Sequence, residues 1–190
     1  GCDGCRSLRH GVHHHSPTAD AVFFGVSLTG THWLFDFTRV MPVADFQGNT
    51  MSACFFERKV GYRIIYNVKS HHEIFACSRH LISRAAREIG VKIRTITLDS
   101  DTTVFKTGSL DPYTEEATKF MDETGTLFRA SPPNTQALNL AEGFMNYLMA
   151  VTFSQIAHAR LCMRFWGLSI LHAADVLNVR PHARDDDSTL

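Results

Sequence analysis

The sequence predicts a mixed α/β domain: one sheet with helices packed on its faces. Three observations carry this. Residues 49–57 and 60–68 are strand-like runs joined by the short link Arg58-Lys59, which reads as an antiparallel hairpin. A capped amphipathic helix follows and leads to a further strand, as a crossover onto the same sheet requires. The whole order is three strands, helix, strand, helix, short strand, helix, helix, which is neither a helical bundle nor a sandwich.

Residues 32–40 alternate apolar and polar and form the first strand. Residues 49–57 (Asn-Thr-Met-Ser-Ala-Cys-Phe-Phe-Glu) and 60–68 (Val-Gly-Tyr-Arg-Ile-Ile-Tyr-Asn-Val) are the second and third. Ser70 followed by Glu73 reads as a capping box. From there Ile74, Cys77, Leu81, Ile82, Ala85, Ala86 and Ile89 fall at helical spacing, and Gly90 stops the helix. Residues 92–98 are a fourth strand, 107–114 a loop, 114–123 a short acidic helix, and 126–129 a fifth, short strand. Ser131-Pro-Pro-Asn-Thr is an irregular turn. Long helices are expected over Asn139–Ala157 and Arg160–Leu177.

With 190 residues the chain can bury a substantial core, and 44% apolar with 20% charged residues is an ordinary globular balance. Lysine plus arginine and aspartate plus glutamate number 19 each, which counts mildly against nucleic acid. The charge is nevertheless segregated. Residues 58–94 carry nine basic residues against Glu73 and Glu88, and residues 99–123 carry seven acidic residues against Lys106 and Lys119. Arg79, Arg84 and Arg87 fall on the outer face of the 70–89 helix and could meet phosphates; the bland alternative is a solvated face. No apolar run reaches membrane-spanning length, and no signal peptide opens the chain. Five scattered cysteines suggest a reducing, intracellular setting. Cys54, Cys77 and Cys162 lie on apolar faces and are expected in the core, with Phe165 and Trp166 as packing residues.

Three carboxylates stand out. Asp36 lies mid-strand between Phe35 and Phe37, where an unpartnered charge would be costly. Asp99 ends the fourth strand, and Glu142 opens a helix. Two carboxylates at strand positions and one at a helix start can converge on hard divalent cations, which take oxygen ligands. Paired metals can then clamp both oxygens of a phosphoryl displacement.

These acids sit in stretches that resemble a known family. Asp36-Phe-Thr-Arg-Val-Met-Pro-Val-Ala-Asp-Phe-Gln-Gly-Asn49, Thr97-Leu-Asp-Ser-Asp-Thr-Thr-Val-Phe105 and Ser131-Pro-Pro-Asn-Thr-Gln-Ala-Leu-Asn-Leu-Ala-Glu142 resemble the three catalytic segments of retroviral-type integrases. The stretch from His158 to His182, with its Phe165-Trp166 and Leu177-Asn-x-Arg-Pro181, resembles the post-core helix of the copia-type LTR retrotransposon group. Cys2-Asp-Gly-Cys5 resembles half of that family's zinc module.

The resemblance implies a ribonuclease H-like fold and a fragment of a Gag-Pol-type polyprotein, in keeping with the absence of an initiator Met. It divides the chain into a remnant zinc module or linker (1–20), a catalytic core (21–157), the post-core helix (158–182) and a disordered tail (183–190). Asp36, Asp99 and Glu142 would hold two Mg²⁺ or Mn²⁺ ions. Cys2 and Cys5 would bind Zn²⁺ only with upstream residues. DNA (element ends and target) is the implied partner, with a homo-oligomer, no membrane and a nuclear location. The activity implied is 3′-end processing and strand transfer. Ser100-Asp101 stands where the family usually has Asn-Gly, so Asp101 is an alternative to Asp99. Two other readings remain: a degenerate, non-catalytic nucleic-acid-binding relic, and a ribonuclease H-type nuclease.

Overall fold

The computed structural model describes residues 29–99, 103–106, 112–131 and 140–179. Five strands form one mixed sheet: β1 (His32–Phe37), β2 (Met51–Glu57), β3 (Arg63–Val68), β4 (Thr95–Leu98) and β5 (Leu127–Ala130), in the order β3-β2-β1-β4-β5. The β1–β2 and β2–β3 pairs are antiparallel, and β1–β4 and β4–β5 are parallel. Helices α1 (Ile74–Ile89), α2 (Glu115–Thr124), α3 (Leu140–His158) and α4 (Trp166–Asn178) complete it. The expected order of elements is the observed one.

Local chemistry sets the elements. Glu57 is buried and accepts from the Lys59 and Val60 amides at 2.8 and 2.6 Å, which closes the β2–β3 hairpin. Its other oxygen accepts from Gly30 N at 2.8 Å and so ties the start of β1 to the same turn. Before α1, the Glu73 carboxylate accepts from the Lys69 and Ser70 amides at 2.7 and 3.2 Å, one half of the expected capping box. A single 3-10 turn (His71–Glu73) precedes the helix proper, so α1 starts three residues later than the cap alone suggests. Gly90 ends it at φ +65°, a left-handed value glycine adopts without penalty.

Strand alternation then sorts the core into two layers. Trp33, Phe35, Phe55, Ile96, Leu98 and Phe128 face α1 and α2. Leu34, Cys54, Phe56 and Ile65 face α3 and α4. On α3, Ala141, Met145, Leu148, Thr152 and Ile156 are buried at spacings of three and four, the stripe a helix lays on a sheet. On α4, Trp166, Ile170, Ala173, Ala174 and Leu177 fill the same layer.

Helix α4 is also fastened at both ends to the edge strand β3. Asn67 Nδ2 donates to Gly167 O at 2.8 Å near its N-terminus. At the other end Asn178 exchanges two 2.8 Å bonds with the Arg63 backbone, and the buried Arg63 guanidinium reaches Leu177 O at 3.5 Å, a cation against a helix C-terminus.

Three expectations need correction. The second long helix does not begin at Arg160: residues 159–162 are a turn in which Arg160 adopts φ +52°, and α4 starts at Trp166. Cys162 therefore lies in that turn and is exposed, while Cys54 and Cys77 are buried as expected. Asp36 is next to last in β1 rather than central, because the strand ends at Phe37. Among the described residues no helix is long and apolar enough to cross a membrane.

Candidate active site

The β1–β4 register pairs His32 with Thr95, Trp33 with Ile96, and Leu34 with Thr97. Two places further along, that register brings Asp36 beside Asp99. Both acids thus lie at the C-terminal ends of two adjacent parallel strands, in the middle of the sheet. Here β1 is flanked by the antiparallel β2 on one side and the parallel β4 on the other. In open α/β sheets, that end of the parallel strands, where the chain direction switches, is where ligands bind.

A cavity of about 330 Å³ opens at this point, and both acids line it. Its rim is formed by Thr38, Arg39 and Val40, which continue β1, and by His71, which begins the turn before α1. The Phe37 and His71 rings lie 4.3 Å apart. Asp36 Oδ1 accepts from the Phe37 amide at 2.8 Å, which fixes the carboxylate at the strand end. Cys54 is the β2 partner of Asp36; burial first, and then the Asp36 charge, push its thiol well above the usual range, so it stays neutral and is no nucleophile.

Glu142 is exposed in the first turn of α3 and is not among the residues lining this cavity. Among the described residues no group of three or more His, Cys, Asp or Glu is arranged to hold a metal ion. Cys2, Cys5 and Asp101 lie outside the described residues, as does the Pro-rich turn before Glu142. Arg79 pairs with Glu123 at 2.9 Å, and Arg84 and Arg87 with Glu88 at 2.8 and 3.5 Å. The basic face of α1 is thus met locally by acids.

Sequence reasoning missed Arg39 and His71 at the cavity rim. Arg39 follows directly on the strand that carries Asp36, a signal that was there to use. His71 reaches the cavity only through the fold, and no local pattern marks it.

The loop behind the site is held by an acid of its own. Asp45 is buried, and its Oδ1 accepts from the Gln47 and Asn49 amides at 2.8 Å each, its Oδ2 from Asn49 Nδ2 at 2.9 Å. Burial raises its pKa, but the bonds from the Asn49 side chain and from the Asn49, Gln47 and Gly48 amides outweigh that and hold it below the ordinary value. Trp166 Nε1 donates to Val43 O at 2.8 Å, so the first turn of α4 buttresses this loop.

No known protein-family profile matches this sequence, and no curated protein does. Among solved structures the chain is similar to the catalytic core domain of BIV integrase. The TM-score is 0.55 over 80% of this chain and 86% of that one, at 13% identity. The fold is therefore ribonuclease H-like, shared with that domain: a mixed five-stranded sheet flanked by helices.

Proposed function

We propose that this chain is a metal-dependent polynucleotidyl transferase of the integrase type, from a copia-type retrotransposon polyprotein, that processes and joins DNA ends. One observation carries the proposal: two carboxylates, Asp36 and Asp99, line one cavity at the C-terminal ends of adjacent parallel strands. The likeness in fold to the BIV integrase core supports it.

The donor set fits Mg²⁺ or Mn²⁺. Such ions are held by one or two carboxylates and complete their coordination with water and phosphate oxygens, for which a 330 Å³ cavity has room. Asp36 and Asp99 would hold the metal, with Glu142 as third carboxylate. Bound there, it would neutralise charge on the reacting phosphate and ease deprotonation of the attacking hydroxyl. The chain itself supplies a fixed carboxylate at Asp36, a second beside it at Asp99, and a cation at Arg39 on the rim to hold a phosphate.

Strand-transfer and nicking assays in Mn²⁺ test this. Asp36→Asn and Asp99→Asn should each abolish turnover with the fold intact, and Glu142→Gln should do the same. If Asp101→Asn abolishes it and Asp99→Asn does not, the second acid is Asp101. The exposed position of Glu142, off the cavity lining, favours a second reading, a nucleic-acid-binding relic without turnover. That reading requires inactivity in all variants and in the parent.

A further inference from the structure

The loop that leaves the cavity carries an exposed apolar surface that packing does not explain. Val40 is 64% exposed, Val43 40% and Phe46 52%, all within seven residues of chain. Single exposed apolar side chains are ordinary. Three on one loop held rigid from beneath by Asp45, Asn49 and Trp166 are not, because the hydrogen bonds fix in place a surface that faces water. The Arg164 guanidinium lies 4.8 Å from the Phe46 ring centroid, and Phe165 meets the same ring edge-on at 4.9 Å.

Charge singles out the same strip. Arg39 is exposed and has no ion pair among the described residues, and Arg164 is exposed beside Phe46. Residues 38–50 contain one acid, Asp45, which is buried and turned into its own hydrogen bonds; residues 155–172 contain none. On α1, by contrast, Arg79, Arg84 and Arg87 are all paired with glutamates.

We propose that the strip from Arg39 and Val40 at the cavity rim, along the loop to Phe46 and Arg164, is a track for unpaired bases of a DNA strand entering the cavity. It rests on the reading of the cavity as a nucleic-acid site. A half-exposed ring with a guanidinium over it offers its exposed surface to a base, and that stacking is indifferent to sequence. The interior of a duplex offers no such face, so the strip distinguishes a frayed or single-stranded end from paired DNA. The two arginines hold its phosphates.

The test is fluorescence anisotropy of the full chain carrying Asp36→Asn, in EDTA, so that the outcome does not depend on metal or turnover. The probes are a labelled oligothymidylate of about 12 nucleotides, within the span such surfaces cover, and a blunt duplex of equal length. Phe46→Ala and Phe46→Leu should each weaken oligothymidylate binding about tenfold, with a much smaller effect on the duplex, and Phe46→Tyr should retain it. Arg39→Gln and Arg164→Gln should weaken it and flatten its salt dependence. Thermal melting confirms that each variant is folded, and Phe46→Leu keeps apolar bulk where alanine would not. The proposal is overturned if Phe46→Leu binds like the parent, if duplex binding falls as much as single-strand binding, or if the parent does not bind the oligothymidylate at all.

Discussion

Gly167, in the first turn of α4, lies so close to the Asp45 carboxylate that no Cβ fits between them. A Cβ built there would overlap Asp45 Oδ2 and come within 2.9 Å of Asn67 Nδ2. Neither neighbour can yield cheaply, because Asp45 holds the loop and Asn67 holds Gly167 O and accepts from Ser52 Oγ at 2.7 Å. Gly167→Ala should therefore destabilise by roughly 1–3 kcal/mol, read as a lower urea midpoint. An unchanged midpoint would mean that the loop is not locked to α4.

His32 gives the fold a pH dependence. It is buried in β1, its Nε2 is 2.8 Å from Thr97 Oγ1, and burial followed by the charges of Arg58 and Arg129 lowers its pKa from 6.5 to about 4. The folded state thus prefers the neutral ring, and the unfolded chain binds more protons between those values. Stability present above pH 6.5 should be lost progressively as pH falls toward 4, by on the order of 3 kcal/mol. Denaturant titrations across that window should show the slope, and His32→Gln should flatten it.

Arg160 is the described non-glycine residue with positive φ, at +52°, in the turn between α3 and α4. Its side chain makes the left-handed backbone costly, and glycine would relieve that. Arg160→Gly should stabilise by about 0.5–1 kcal/mol after the added freedom of the unfolded chain is set against it. A loss of stability would show that the Arg160 side chain contributes more than its backbone strain costs.

Much of the sheet was legible because its signals are local. Alternation marks β1, two strand-like runs with the short Arg58-Lys59 link mark β2 and β3, Glu73 and Gly90 bracket α1, and a charge between Phe35 and Phe37 marks Asp36 as unusual before any partner is known. A helix carrying the chain to a further strand was legible too, but that this strand pairs with β1, and so sets Asp36 beside Asp99, is seen only in the fold. What escaped depends on contacts across long stretches of chain. Gly167 reads as an unremarkable helix residue until Asp45, 122 positions earlier by number, is set against it. His32 has no metal-ligand spacing, and its partner Thr97 is 65 residues away. The start of α4 was misjudged because Leu161, Cys162 and Met163 continue an apolar pattern through residues that form a turn.

The central claim is that Asp36 and Asp99 together hold a divalent cation, and thermal melting under Mn²⁺ titration tests it most directly. A ligand bound only by the native state at a hundredfold excess over its Kd stabilises by roughly 2.7 kcal/mol, or roughly 5–10 °C for a chain of this size. The parent should show that rise, and Asp36→Asn and Asp99→Asn should each lose it while melting normally without metal. A parent that gains nothing from Mn²⁺, or a rise that survives in both variants, would contradict the account.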